Sequence, residues 1–179
     1  MNKSLSFLFL SFIFVISGCG EKQDWNADKR FMPYLEPGAV AGDFLARTTD
    51  NKYLTFSTYS GSPVLLSFFK KSCDECVPIL KKLDEAHRDY EKEGLVTIAV
   101  NADNLNYVPS SAVLSFVKAQ NLSFPILLDD QALAIERYKV ISIPATFFID
   151  KDRIISHVAY GEEDLLSPDN RARIKKIME

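Results

Sequence analysis

Two cysteines separated by two residues are the part of this chain best suited to chemistry. Cys73 and Cys76 enclose Asp74 and Glu75, and they follow an apolar run that ends at Phe69. A pair at this spacing can close a disulfide and open it again, so it can exchange electrons with another disulfide. Where such a pair opens a helix, unpaired N–H groups and the helix dipole favour the thiolate of the first cysteine. The pattern predicts that Cys73 attacks a substrate sulfur and that Cys76 resolves the mixed disulfide.

The charges beside the pair are mixed in sign. Lys70 and Lys71 favour a nearby thiolate. Asp74 and Glu75 disfavour it by like-charge repulsion, so the local sum is near zero. Strongly oxidising pairs depend on a heavily stabilised thiolate, often with a histidine between the cysteines, and none stands here. These four residues are therefore predicted to tune the pair as a reductant.

Two other interpretations of the pair stay open at this point. The first is an inert structural disulfide, which needs the same two cysteines and no turnover. The second is a zinc site in which Cys73 and Cys76 are joined by His87 and His157, although His157 stands far along the chain. The redox interpretation requires no metal and no organic cofactor, because the redox-active disulfide is itself the redox group.

The first 18 residues have the composition of an export signal. Lys3 precedes an apolar run from Leu5 to Ile16 that is shorter than the roughly 20 residues that span a bilayer as a helix. Ile16-Ser17-Gly18-Cys19 resembles the lipobox of bacterial lipoproteins. The resemblance implies cleavage before Cys19, lipidation of that cysteine, and a membrane-anchored protein that faces the periplasm or another extracytoplasmic space.

The rest of the chain is predicted to form one domain. Residues 19–37 mix charges, prolines and an isolated tryptophan without a sustained period, which predicts a tether between the lipid and a domain at residues 38–179. The full chain has 179 residues, of which 47% are hydrophobic and 25% charged, as in ordinary globular proteins. Its formal net charge of -3 provides no basic surface for nucleic acid, so nucleic acid is not expected as a partner.

Strand and helix patterns alternate through that domain, which predicts an α/β fold with a central sheet flanked by helices. The last two strands are joined by a polar turn and are predicted to be antiparallel, so the sheet is mixed. The predicted strands are Pro63–Phe69, Leu95–Val100, Phe124–Leu128, Ala145–Ile149 and Ile154–Tyr160. The predicted helices are Pro78–Glu93, Ser110–Gln120, Ala132–Tyr138 and a last helix with Ser167 as its N-cap and Pro168 as its first residue.

An Ile143-Pro144 dipeptide stands directly before the strand that begins at Ala145. Together with a CxxC after an apolar strand, it resembles the thioredoxin superfamily. The resemblance implies that Pro144 is cis and faces the dithiol, and that the backbone of Ile143 binds an extended substrate segment.

Three further segments resemble the TlpA/ResA-like branch of membrane-tethered thiol-disulfide proteins. They are Ala41-Gly42-Asp43-Phe44, the turn Asp50-Asn51-Lys52, and the strand from Phe124 to Asp129. The resemblance covers about residues 37–161 and implies a thioredoxin-like fold with a βα unit inserted after the CxxC helix. It implies a reductase for disulfides of exported proteins, re-reduced by a membrane dithiol donor. Apo-cytochrome c before haem attachment, in cytochrome c maturation, is a candidate substrate by analogy.

The chain departs from that family pattern at three positions. Ser72 stands where a tryptophan is usual, Ser67 replaces a buried acid, and Ile79 replaces a glutamate. Two alternative functions therefore stay open. A peroxiredoxin-like thiol peroxidase would need a threonine where Lys70 stands, and a binding module would use the fold without turnover.

Overall fold

A mixed sheet forms the centre of the domain, with strands in the order β2-β1-β5-β4-β3-β6-β7. The structure is a computed structural model that describes residues 35–179. The export signal, Cys19 and the predicted tether up to residue 34 lie outside the described residues. The strands are β1 Leu45–Thr48, β2 Tyr53–Thr55, β3 Val64–Phe69, β4 Val96–Asn101, β5 Ile126–Leu128, β6 Ala145–Ile149 and β7 Ile155–Tyr160. The helices are α1 Cys76–Tyr90, α2 Ser110–Gln120, α3 Leu133–Arg137 and α4 Pro168–Met178.

The central strand β3 is parallel to β4 and antiparallel to β6. All six of its residues are buried, as expected for an apolar strand with helices on both faces. Parallel pairing of β4 with β5 and the antiparallel pair β6–β7 complete the mixed sheet that the sequence predicts. The predicted α/β class and thioredoxin-like architecture are confirmed.

Two apolar clusters cover the two faces of the sheet. On one face, Leu65 and Phe69 of β3 belong to a cluster with residues of α1 and α4, including Leu83 and Ile174. On the other face, Leu66 and Phe68 belong to a cluster that includes Phe44, Phe147 and Tyr138, where Tyr138 follows α3. Successive residues of a strand point to opposite faces, so the near-continuous apolar sequence of β3 fills both clusters.

Several element boundaries differ from the sequence expectation by a few residues. The helix α1 begins at Cys76, two residues before Pro78, and the 3₁₀ turn Glu91–Glu93 follows it. Gly94 then ends the turn with φ of 100°, a left-handed conformation that suits glycine. The start of α4 is as predicted, because the Ser167 Oγ accepts the backbone N–H of Asn170 at 3.3 Å.

The inserted unit predicted after the CxxC helix is present. The chain continues from α1 through β4 into α2 and then returns through β5, which lies parallel to β4. The sequence pattern does not predict β1 and β2 as strands, although their Asp50-Asn51-Lys52 turn is one of the segments that resemble the family. The two strands have four and three residues, too few for a clear alternating pattern.

Candidate active site

A disulfide joins Cys73 to Cys76, with 5.3 Å between their Cα atoms. The two cysteines differ in accessibility. Cys73 is partly exposed, whereas Cys76 is 0% exposed and belongs to the core cluster beneath α1. An incoming substrate sulfur can therefore reach Cys73 and not Cys76. This asymmetry suits an attacking first cysteine and a resolving second one.

The loop between β3 and α1 positions the pair at the end of the central strand. The backbone N–H of Cys73 donates to the carbonyl of Lys70 at 3.3 Å, and that of Cys76 donates to the carbonyl of Cys73 at 3.1 Å. Cys73 consequently lies in the turn that leads into α1, close to the positive end of the helix dipole. Of the four predicted tuning residues on this loop, Lys70 is half-buried and the other three, Lys71, Asp74 and Glu75, are exposed.

A carboxylate from the neighbouring strand end holds this loop. Asp103 Oδ2 accepts the backbone N–H of Lys71 at 2.7 Å and the side-chain amide of Asn101, also at 2.7 Å. Asp103 is 5% exposed and Asn101 is 0% exposed. Sequence reasoning missed Asp103. Its signal was a single acid two residues after β4, at the sheet edge where the parallel strand β3 also ends.

The proline loop lies at the same edge, on the other side of β3. The Ile143–Pro144 peptide bond is cis. The Pro144 carbonyl accepts the backbone N–H of Gly161 at 2.9 Å, which ties the loop to the end of β7. Pro144 is buried, whereas Ile143 is partly exposed and packs, like Cys73, at the periphery of the cluster that contains Cys76.

Two exposed apolar side chains stand on the loops that flank the dithiol. Tyr107, 85% exposed, follows β4, and Ile141, 61% exposed, precedes β6. In the sheet order, β3 lies between β4 and β6, so these loops leave the sheet on opposite sides of the Cys73 loop. Sequence reasoning singled out neither residue, because an isolated apolar residue in a loop carries no periodic signal.

The three departures from the family pattern have clear structural counterparts. The Ser67 and Thr146 hydroxyls lie 2.9 Å apart and fill the central buried position with a neutral pair. Ile79, 4% exposed, packs in the cluster around Cys76, and Ser72 is exposed. Where that family pattern has acids and a ring, this chain has hydroxyls, an alkyl group and an exposed serine.

The histidines of the zinc alternative are engaged away from the cysteines. His87 Nε2 lies 3.1 Å from Glu91 Oε2, and His157 Nε2 lies 3.0 Å from Glu163 Oε1. Among residues 35–179, no group of three or more His, Cys, Asp or Glu side chains is placed to hold a metal ion. The described structure does not bring the four proposed zinc ligands together.

Cys73 is partly exposed at the end of the central strand. Two surface grooves, of about 670 and 400 Å³, are lined by residues such as Phe44 and Arg137 in the first and Asp129 and Ile135 in the second, and neither includes a cysteine. A disulfide that is accessible at the surface can be reached by a polypeptide substrate, which would not fit an enclosed small-molecule cavity. Within the described part of the chain, every helix is too short or too polar to cross a membrane.

Comparisons with known proteins agree with this geometry. A family model described as the AhpC/TSA family matches residues 37–158. The thiol-disulfide oxidoreductase ResA of Bacillus thuringiensis subsp. konkukian (strain 97-27) is 30% identical over 129 residues, which make up 72% of this chain and 72% of that protein.

Solved structures show the same fold. A crystal structure from Chlorobium tepidum, of a protein proposed to be the thiol:disulfide interchange protein DsbE, matches with a TM-score of 0.73 at 21% identity, covering 81% of this chain and 99% of that one. The thioredoxin domain of a thiol-disulfide oxidoreductase from Bacteroides vulgatus matches with a TM-score of 0.69 at 16% identity, covering 81% and 99%.

Proposed function

The chain belongs to the AhpC/TSA family and is a thiol-disulfide oxidoreductase of the thioredoxin-like TlpA/ResA type, and from that premise we propose that it reduces disulfides in exported proteins through Cys73 and Cys76. The observation that carries the proposal is the difference in exposure between the two cysteines. A buried partner cannot be attacked first, so access to Cys73 fixes which of the two cysteines exchanges with the substrate first.

The reaction proceeds in two exchanges. The Cys73 thiolate attacks one sulfur of a substrate disulfide, and the Cys73–substrate bond forms as the substrate disulfide breaks and releases one thiolate. The Cys76 thiolate then attacks Cys73 Sγ, which closes the Cys73–Cys76 bond and releases the second substrate sulfur. Two electrons have passed to the substrate, whose two thiolates take up protons, and the protein holds the disulfide seen in the structure.

The proline loop is proposed to hold the substrate. An extended segment would pair with the backbone of Ile143, beside the buried ring of Pro144. The exposed side chains of Tyr107 and Ile141 would pack against residues on either side of the substrate cysteine. Because apolar side chains are exposed on both sides of the Cys73 loop, the proposed substrate is a flexible or unfolded polypeptide.

The reductive direction rests on charge. No histidine stands between the cysteines, and the charges of Lys70 and Lys71 balance those of Asp74 and Glu75, which leaves no strong net preference for the Cys73 thiolate. The oxidised pair must be reduced again after each turnover. We assign that step to a membrane dithiol donor, and a lipid anchor at Cys19 on the outer side of a membrane would keep the domain near it. Apo-cytochrome c is the proposed substrate by analogy with the family.

The midpoint potential of the Cys73/Cys76 pair tests the direction. The full chain, solubilised in detergent, is equilibrated with defined dithiol/disulfide buffers, and alkylated thiols are counted by mass. A potential near the value of about −270 mV typical of thioredoxin supports a reductase, whereas one near about −120 mV indicates an oxidant and contradicts the proposal. A Cys19→Ser variant serves as the matched control, because it removes the third cysteine and leaves the pair intact.

Turnover separates the proposal from its two alternatives. Cys73→Ser should abolish reduction of a protein disulfide, and Cys76→Ser should accumulate a mixed disulfide with the substrate. Consumption of peroxide by the unmodified protein at a rate matching disulfide reduction would favour the peroxidase. Substrate binding that survives Cys73→Ser, without any turnover in the unmodified protein, would favour the binding module.

A further inference from the structure

We propose that the buried carboxylate of Asp103 fixes the position of the Cys73 loop and disfavours the Cys73 thiolate, which makes the pair a stronger reductant. The inference deepens the proposed function and rests on it for the direction of electron flow. It assigns a positioning role to a residue outside the CxxC segment, on the loop that follows β4.

The positioning part follows from the hydrogen bonds. Asp103 accepts the backbone N–H of Lys71, two residues before Cys73, and the neighbouring Ala102 N–H donates to the carbonyl of Phe69 at 2.8 Å. These two bonds join the start of the Cys73 loop to the end of β4. The Asn101 amide donates to the same carboxylate and is itself fully buried, so Asp103 has little freedom to move.

The electrostatic part follows from burial. Lys71, Asp74 and Glu75 on the Cys73 loop are exposed, and solvent and salt screen their charges. Asp103 is 5% exposed, so the field of its charge acts through protein and is screened less. Two cations stand on the Cys73 loop. Lys70 is half-buried and its charge opposes that of Asp103, whereas the charge of the exposed Lys71 is screened.

The loops before β6 and after β7 provide no buried carboxylate that could act on the Cys73 thiolate in the way proposed for Asp103. The segment Ile141–Pro144 contains no titratable side chain. Beyond it, in the loop after β7, Glu162 is exposed, Glu163 bonds to His157 and Asn170, and Asp164 pairs with Lys82. Asp103 is therefore the buried carboxylate that is tied directly to the loop carrying Cys73.

The sign of the effect is set by the charge of each redox state. The disulfide is neutral, whereas the reduced pair carries a negative charge once Cys73 ionises. A nearby negative charge raises the pKa of the Cys73 thiol and penalises the reduced state at any pH where the thiolate forms. The disulfide is favoured as a result, so the reduced pair gives up its electrons more readily.

The hydrogen-bond pattern allows charge and position to be separated. Both donors bind the same carboxylate oxygen, Oδ2. In Asp103→Asn, the amide oxygen can accept both bonds while the negative charge is lost. In Asp103→Ala, the bonds and the charge are lost together.

The experiment measures the rate of Cys73 alkylation against pH, and the midpoint potential at a pH above the thiol pKa, in the full chain. For Asp103→Asn we expect a lower pKa of the Cys73 thiol and a shift of about tenfold in the equilibrium with glutathione towards the dithiol, equivalent to about 30 mV. Asp103→Ala should show the same changes in thiol pKa and equilibrium and, in addition, faster hydrogen exchange at the Lys71 amide. Asp152→Asn, at an exposed residue in the turn between β6 and β7, is the matched control and should change none of these values.

An unchanged thiol pKa and potential in Asp103→Asn would overturn the proposal. If that variant does not fold, Asn101→Ala gives a second test, because it removes a donor that partly neutralises the carboxylate and should raise the thiol pKa. A lower or unchanged pKa of the Cys73 thiol in Asn101→Ala would then overturn the proposal. The inference depends on differences between variants, so an oxidising potential in the unmodified protein would contradict the proposed function and leave this inference standing.

Discussion

The hydroxyl oxygens of Ser67 and Thr146 lie 2.9 Å apart, buried beneath α1 on directly paired positions of β3 and β6. Each residue is 1% exposed. The pair occupies the central position of the sheet face that also presents Leu65 and Phe69 to the helix. Each hydroxyl is the hydrogen-bond partner of the other. A neutral pair therefore fills the position where thioredoxins keep an acid.

Removing one hydroxyl should cost more than removing both. Ser67→Ala leaves the Thr146 hydroxyl buried without its partner, and we expect the free energy of unfolding to fall by about 1–3 kcal/mol. Adding Thr146→Val should recover part of that loss, because the replacement has nearly the same shape and no polar atom. Urea unfolding of the two single variants and the double variant measures the coupling. Strictly additive losses would show that the two hydroxyls do not stabilise each other.

The Asp84 carboxylate should make the folded state less stable as pH falls into the acid range. Burial alone would raise its pKa, but bonds from the backbone N–H and hydroxyl of Ser123, each 2.7 Å, and the pairing with Arg88 hold the pKa below its ordinary value. A lowered pKa in the folded state stabilises the protein above the unfolded pKa of about 3.9, and that stabilisation disappears as pH falls through the folded pKa.

Urea unfolding at several pH values tests this expectation. Asp84→Asn should lower the free energy of unfolding near neutral pH by about 1–3 kcal/mol. The difference in free energy of unfolding between this variant and the unmodified protein should disappear as pH falls below about 4. Asp89→Asn is the matched control on the same helix, since Asp89 is an exposed partner of Arg171 and should show little effect. If the difference in free energy of unfolding is the same at every pH, the destabilisation comes from packing and not from the charge of Asp84.

The sequence predicted the elements that carry strong local signals. The apolar run at β3, the Ser167 and Pro168 start of α4, and the CxxC at the start of α1 each depend on neighbouring residues alone. The fold class followed from their order. The site predictions that the structure describes, Cys73, Cys76, Ile143 and Pro144, all lie at one edge of the sheet.

What the sequence did not predict depends on contacts between distant segments. Asp103 acquires its role only because β4 ends beside β3, which brings its carboxylate to the backbone of Lys71. The exposure of Tyr107 likewise depends on how the loop after β4 leaves the sheet. The hairpin strands β1 and β2 are held by pairing with each other and by the pairing of β1 with β5, not by a local pattern of their own.

The lipid anchor predicts a change of location. In a bacterial host, Cys19→Ser should move the protein from the membrane fraction to the soluble extracytoplasmic fraction, because a lipid chain on Cys19 is the proposed attachment. Metabolic labelling with a fatty-acid analogue should mark the unmodified protein only. Cys76→Ser is the matched control, since it removes a cysteine from the dithiol and should leave both location and labelling unchanged. Labelling that persists in Cys19→Ser would contradict the anchor.

The exposed side chains of Tyr107 and Ile141 should select polypeptides over small disulfides. Partial burial of either side chain against a substrate contributes free energy that a small disulfide cannot gain, so Tyr107→Ser and Ile141→Ser should each raise KM for a protein disulfide roughly three- to tenfold. Their rates with oxidised glutathione should not change. Val40→Ser is the matched control, because Val40 is 64% exposed but bridges to Ile154, at the opposite end of the β6–β7 hairpin from Pro144. Equal losses with both kinds of substrate would mean that these residues act on the dithiol itself and not on docking.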